Sequence, residues 1–151
     1  MPSEEIESVL VASSALLGIV ARSLAPVLER VSLPQFRVLV VLVRTGSMRQ
    51  GALADRLAMA PPSVSRMLDR MQDQGWVSRV PNADSRREVL IDATDTGRAL
   101  VEEVWRTRRR ELGAVLARVP EAQRAQVATA FRAFSEAAGE SASADALALG
   151  F

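Results

Sequence analysis

The sequence predicts a mainly α-helical fold that carries one small β-ribbon. Three observations predict it. Apolar residues recur at helical spacing in six stretches of the 151-residue chain. One stretch, residues 76–93, drops instead to a period of two. Proline, glycine or a hydroxyl residue stands at most of the junctions between them.

The first stretch, residues 3–30, reads as a long helix with Ile6, Val9, Leu10, Leu16, Leu17, Val20, Leu24, Val27 and Leu28 apolar, and with Pro26 bending it near Arg22. Residues 33–44 form the second helix: Ser32 or Leu33 caps it, Pro34 suits its first turn, and Phe36, Leu39, Val40 and Val43 share one face. Thr45, Gly46 and Ser47 end it. Residues 49–59 are a shorter helix with Leu53, Ala54 and Leu57 inward, separated from the next by almost no linker, as in a pair of helices joined by a tight turn.

Residues 61–74 carry the clearest functional signal. Val64, Leu68 and Met71 recur at i, i+4 and i+7 with Met67 beside them, so Ser63, Arg66 and Arg70 occupy the opposite face with Ser65 on its flank. Small hydroxyls near the amino end let such a helix approach a DNA major groove closely. Arginines farther along can pair with guanine edges or phosphates. An amphipathic surface helix with a solvated charged face would look the same.

The next residues separate the two readings. Residues 76–80 and 88–93 alternate as short strands, and Pro81, Asn82, Ala83 and Asp84 form a turn-prone tip followed by Ser85, Arg86 and Arg87. A ribbon with arginine near its tip can reach a minor groove, where guanidinium is drawn to concentrated negative potential. Asp84 would be a poor neighbour for phosphate, and is expected to orient Arg86 or Arg70. Beyond the ribbon, residues 94–117 begin with a Thr/Asp cap and carry Leu100, Val101, Val104, Trp105, Leu112, Val115 and Leu116. Residues 120–138 add a helix with Val127, Phe131 and Phe134. The tail, residues 140–151, is small and polar until its last residues and is expected to be mobile or loosely docked.

These residues resemble the MarR family of winged helix-turn-helix regulators. The matching stretches are LPQFRVL at 33–39, GALADRLA at 51–58, VSRMLDRMQDQGWV at 64–77 and DSRR at 84–87, with TDTG at 94–97 following the wing. The resemblance implies a winged helix-turn-helix over residues 33–96, flanked by dimerisation helices at 1–32 and 97–139. It also implies a homodimer on a palindromic operator, usually a repressor, released by a small molecule or thiol oxidation. Carried over by position, Ser63, Ser65, Arg66 and Arg70 are groove and phosphate contacts, and Asp84 and Arg86 are the wing pair; Arg49 and Arg87 join them as expected DNA contacts. Two positions depart from the family pattern: Ala60 stands where a Ser or Thr cap is common, and Arg49 where Thr is common.

Composition limits the alternatives. The chain has no His, Cys, Tyr or Lys, which removes the usual zinc sites, thiolate nucleophiles, imidazole bases and Schiff-base chemistry. With no carboxylate pair in an apolar setting, no enzyme is expected, and no cofactor. Within the resembled family, thiol-based oxidant sensors and zinc sensors are excluded. That leaves a non-covalent effector, aromatic or anionic, or none.

All 19 basic residues are arginine, as a GC-rich coding sequence also favours. Net charge is +1, but residues 44–90 hold eight arginines against five acids, so the positive excess sits in the DNA-reading unit. The run Arg106, Arg108, Arg109 and Arg110 lies beside Glu102, Glu103 and Glu111 and is expected as a solvated helix face. The amino end is acidic where a signal peptide is basic, and no uncharged run reaches the roughly 20 residues that cross a bilayer. A cytoplasmic protein without membrane contact is expected.

The terminal helices expose apolar surface that a second copy would cover, holding the reading helices about 34 to 36 Å apart. A ligand pocket is expected where they meet the DNA unit, lined by Ser13, Leu17, Phe36, Val40, Trp76 and Trp105, with Arg22 or Arg37 facing an anion. Two other readings fit the same pattern: a helical module that binds protein, and a DNA-binding protein insensitive to ligand.

Overall fold

The computed structural model describes the backbone of residues 3–148 and the side chains of residues 3–139. Six helices and one two-stranded antiparallel ribbon appear among the described residues, in the order α1 (Ser3–Leu28), α2 (Leu33–Thr45), α3 (Gln50–Leu57), α4 (Pro61–Asp73), β1 (Val77–Asn82), β2 (Ser85–Ala93), α5 (Asp95–Arg118) and α6 (Glu121–Ala148). The chain is mainly helical with a small β-wing.

Local chemistry sets the helix ends. At the start of α2, the Gln35 N–H donates to Ser32 Oγ at 3.3 Å and the Ser32 N–H donates to Gln35 Oε1 at 2.9 Å, a reciprocal cap that settles Ser32 as the cap residue. Gly46 stops the helix at φ 85°, a conformation that costs glycine little. Ala60 and Arg49 give α4 and α3 no side-chain cap, so the orphan N–H groups at both helix starts remain for other acceptors.

The core forms where α2, wholly buried along Val38–Leu42, is wrapped by the other elements. Phe36, Leu39, Leu53, Leu57, Val64, Leu68 and Met71 are all at most 2% exposed, so α2, α3 and α4 share one apolar centre. From α1 only Ile19, Leu24 and Val27 join the buried hydrophobics; from α5, Leu100, Val101 and Val104 do. The ribbon is tied back by Met48, whose N–H donates to the Ile91 carbonyl at 3.1 Å while the Ile91 N–H donates to Met48 O at 2.8 Å.

A close approach fixes α5 to the turn after α4. Thr94 Oγ1 donates to the Gly75 carbonyl at 2.5 Å, the Thr94 N–H donates to Trp76 O at 3.0 Å, and Thr94 Oγ1 accepts from the Gly97 N–H at 3.1 Å. A Cβ on Gly97 would lie 2.2 Å from the Trp76 carbonyl oxygen. Only glycine lets the two backbones meet there.

The ribbon corrects one expectation. Both strands are longer than their alternation indicated: Pro81 lies inside β1 opposite Val89, and β2 already starts at Ser85, with a register shift between Pro81 and Asn82. Each strand is an edge, where proline's missing N–H costs no ladder bond. The last helix ends as expected after Ala138, because Gly139 (φ 78°) is non-helical; a second helical stretch follows to Ala148, and residues 149–151 lie outside the described part. By length and composition alone α1 is long and apolar enough to cross a membrane, but its uncharged run between Glu7 and Arg22 stays short of the roughly 20 residues needed, as expected.

Candidate nucleic-acid interface

The interface is built on α4. Its stripe Val64, Leu68 and Met71 is buried to 0% exposure, which orients the helix and turns Arg66 and Arg70 outward, with Ser63 and Ser65 half-buried beside them. Pro61 and Pro62 occupy the first turn, where a missing N–H costs nothing. Neither Arg66 nor Arg70 makes an ion pair or hydrogen bond among the described residues, so both guanidinium groups are available to an outside anion. Arg86 and Arg87, exposed on β2 near the wing tip, are equally unpaired. Four free guanidinium groups on one reading helix and the adjoining ribbon make a surface suited to a polyanion.

Asp84 does not play the role expected of it. No ion pair to Arg86 or Arg70 forms among the described residues; the Asp84 N–H instead donates to Asn82 Oδ1 at 3.0 Å, closing the tip as a local side-chain turn. The carboxylate that does engage the interface is Glu88. It sits 2.6 Å from Arg49 Nη2 and also accepts from Asn82 Nδ2 at 2.9 Å, linking the wing to the start of α3. A second pair, Arg79 Nη2 to Asp69 Oδ1 at 2.6 Å with Gln72 on the other guanidinium nitrogen, links β1 to α4. Sequence reasoning missed Glu88, Asp69 and Arg79. Their partners lie 39 and 10 residues away, at positions that only the ribbon's register reveals.

The residues expected around a ligand do not converge. Phe36 and Val40 are wholly buried in the core. Arg37 Nη2 donates to the Leu57 carbonyl at 3.2 Å, serving the unsatisfied carbonyls at the end of α3. Ser13 is exposed and bonds the Leu10 carbonyl within its own helix, and Leu17 is 62% exposed. Trp76 is half-buried against the core at the base of the wing. Arg22 pairs with Glu111 at 2.8 Å and lines an open groove of about 760 Å³ between α1, α5 and α6, with Leu16, Ile19, Val115 and Phe131.

A smaller cavity of about 450 Å³ lies between the end of α2 and α5, lined by Val43, Arg44, Arg98, Val101, Glu102, Trp105 and Arg109. Arg44 and Arg108 both approach the Trp105 ring, each guanidinium carbon 4.8 Å from its centroid. The basic run on α5 is therefore not wholly a solvated face, because Arg108 is only 7% exposed. Its Nε–H donates to Ser23 Oγ at 3.2 Å, and its Nη2 has no partner among the described residues. Burial, and then the charge of Arg44, push the Arg108 guanidinium below its ordinary pKa. Arg98 and Arg109 are matched by Asp92 and Glu102, whereas Arg44 and Arg108 have no carboxylate among the described residues.

The same architecture occurs in known proteins. A sequence profile of the MarR family matches residues 31–89, the stretch from the start of α2 through most of the wing. The crystal structure of RV1404 from Mycobacterium tuberculosis is 35% identical, superposes with a TM-score of 0.79, and is matched over 92% of this chain and 95% of its own. The chain belongs to the MarR family. An HTH-type transcriptional regulator of Mycobacterium tuberculosis is 36% identical over 94 residues, 62% of this chain and 66% of its own length. The MarR-family chain thus spans just under two thirds of that curated relative. The HTH-type transcriptional repressor MdtR of Bacillus subtilis is 30% identical over 94 residues, 62% of this chain and 61% of its own.

Proposed function

We propose that this MarR-family protein is a transcriptional regulator that binds duplex DNA as a homodimer, with α4 in the major groove and the wing beside it. The observation that carries the reading is the set of four unpaired, exposed guanidinium groups, Arg66 and Arg70 on α4 and Arg86 and Arg87 on the wing, on a chain whose formal net charge is only +1. In this reading Ser63 and Ser65 allow close approach and contact base edges or phosphates, Arg49 meets a phosphate at the start of α3, and Asp84 shapes the wing tip.

Dimerisation is supported by apolar surface on the terminal helices. Ile6, Val9, Leu10 and Leu17 of α1, Val115 and Leu116 of α5, and Phe131 and Phe134 of α6 are each at least 40% exposed. Covering them contributes roughly 1 kcal/mol each at the usual value per unit of apolar area. A second copy is the partner that symmetry favours, with residues 1–32 and 97–139 interlocking around a DNA-reading unit of residues 33–96. A bilayer is a poorer partner for α1: the helix buries Ile19, Ser23, Leu24 and Val27 against its own chain and holds Arg22 in an ion pair with Glu111. We place the protein in the cytoplasm, at the nucleoid when bound.

The regulator acts as a repressor on a palindromic site and is released by a non-covalent anionic ligand. Support for the ligand comes from the 450 Å³ cavity beside Trp105, in the size range of small-molecule sites, and from Arg44, which lines it without a carboxylate partner among the described residues. Selection of duplexes from a fragmented genome tests the DNA reading. Recovery of a two-fold symmetric sequence supports it. Recovery of no sequence above background, with no retention on heparin, contradicts it.

A further inference from the structure

Two of the interface arginines are not free. Arg49 and Arg79 are held by carboxylates of their own chain, whereas Arg66, Arg70, Arg86 and Arg87 carry none among the described residues. The Arg49 pair has a definite geometry: both Glu88 oxygens meet Nη2, at 2.6 and 2.7 Å, and no other Arg49 nitrogen makes a bond among the described residues. A guanidinium has five N–H donors in a fixed fork, so its Nε and Nη1 edge stays open while the Nη2 corner is pinned. Glu88 is only 31% exposed and is itself steadied by Asn82 at the register shift of the ribbon. The Arg49 cation, 64% exposed, is thus fixed in one posture and partly neutralised where α3 meets the wing.

We propose that Glu88 is a specificity-determining residue, which restrains Arg49 so that its charge helps only when a phosphate lies at one place relative to α4. The inference rests on the DNA-binding reading above. A loose Arg49 would reach phosphates of any duplex, since backbone contacts carry no sequence information. Pinned, it contributes where the groove contacts of Ser65 and Arg66 have already set the register. Glu88 lowers random binding more than specific binding.

The test compares wild type, Glu88→Gln, Arg49→Gln and the double variant on two probes: a duplex selected by the wild-type protein from a random library, and a scrambled duplex of equal length. Glu88→Gln is expected to bind the scrambled duplex about fivefold more tightly near 0.15 M salt, with a salt slope steeper by about 0.9, as one further phosphate contact gives. Affinity for the selected duplex should change less, so the ratio between probes falls. In the Arg49→Gln background the Glu88→Gln change should vanish. A Glu88→Gln ratio and slope equal to wild type overturn the proposal. So does an effect of full size without Arg49, which would mean that Glu88 merely repels phosphate. Failure of the wild-type protein to select or bind any duplex sinks the DNA-binding reading itself, a different outcome. Asn82→Ala, which removes one bond to Glu88 without a charge change, should lower the ratio in the same direction; an unchanged ratio there counts against the restraint.

Discussion

Replacing Gly97 by alanine sets two known effects against each other within α5. Helix propensity favours alanine over glycine by roughly 1 kcal/mol in a helix interior, and less in the first turn, where Gly97 lies. The geometry points the other way. The added Cβ would stand 2.2 Å from the Trp76 carbonyl oxygen, 3.1 Å from that carbonyl's carbon and 2.9 Å from Leu39 Cδ2. Leu39 is 0% exposed and cannot swing into solvent. The other obstacle is backbone, held by Thr94 through the Thr94 N–H to Trp76 O bond. Overpacking of this kind costs about 1–3 kcal/mol, and a backbone clash belongs at the upper end. The net expectation is a loss of about 2 kcal/mol.

Gly113 supplies the control. It lies in the same helix with nothing within 4 Å of the place its Cβ would take, so Gly113→Ala should gain about 0.5–1 kcal/mol. Urea unfolding at one fixed protein concentration reads both, since association shifts apparent stability. With a slope of about 1–3 kcal/mol per molar urea, the Gly97→Ala midpoint should fall by roughly 1 M and the Gly113→Ala midpoint should rise. A Gly97→Ala protein as stable as wild type, or two variants that move together, would refute the close approach of α5 to the α4–wing turn.

Four further outcomes follow from the site. Arg86→Ala should weaken binding to all duplexes and reduce the salt slope by about one unit, read by gel shift across a salt series; an unchanged slope removes the wing from the interface. Arg66→Ala should change which duplexes are selected, at a cost of about 1–3 kcal/mol on the preferred one, and uniform weakening on every duplex would assign it to the backbone. Leu10→Glu combined with Phe134→Glu should convert the sedimenting species to a protomer while far-ultraviolet circular dichroism stays helical; an unchanged mass denies the terminal helices their role. Arg108→Met should leave the urea midpoint unchanged or raise it, because a buried cation without a counter-charge is removed. A loss of about 2 kcal/mol or more would show that Arg108 is neutralised in the assembled protein.

Much of the fold was legible because it rests on periodicity. The Val64, Leu68 and Met71 stripe of α4 is buried as its spacing requires, and the Ser32 cap of α2 follows from a hydroxyl three residues before Gln35. The ribbon's extent was less legible, since Pro81 signals a turn in sequence yet sits harmlessly on an edge strand. Long-range pairing was not legible at all. That Arg49 meets Glu88, that Arg79 meets Asp69, and that Arg37 serves the end of α3 depend on register and packing angle, which no local pattern encodes. Within the run of basic residues on α5, only the placement of α1 and α2 decides that Arg108 turns inward to Ser23 and Trp105.

Sedimentation of the protein with a self-selected duplex decides whether two chains read one DNA site. One complex containing two 16.3 kDa chains per duplex is expected, formed on a sequence with two-fold symmetry and lost in the Arg66→Ala, Arg86→Ala double variant. A lone 16.3 kDa particle that leaves every duplex free would contradict it.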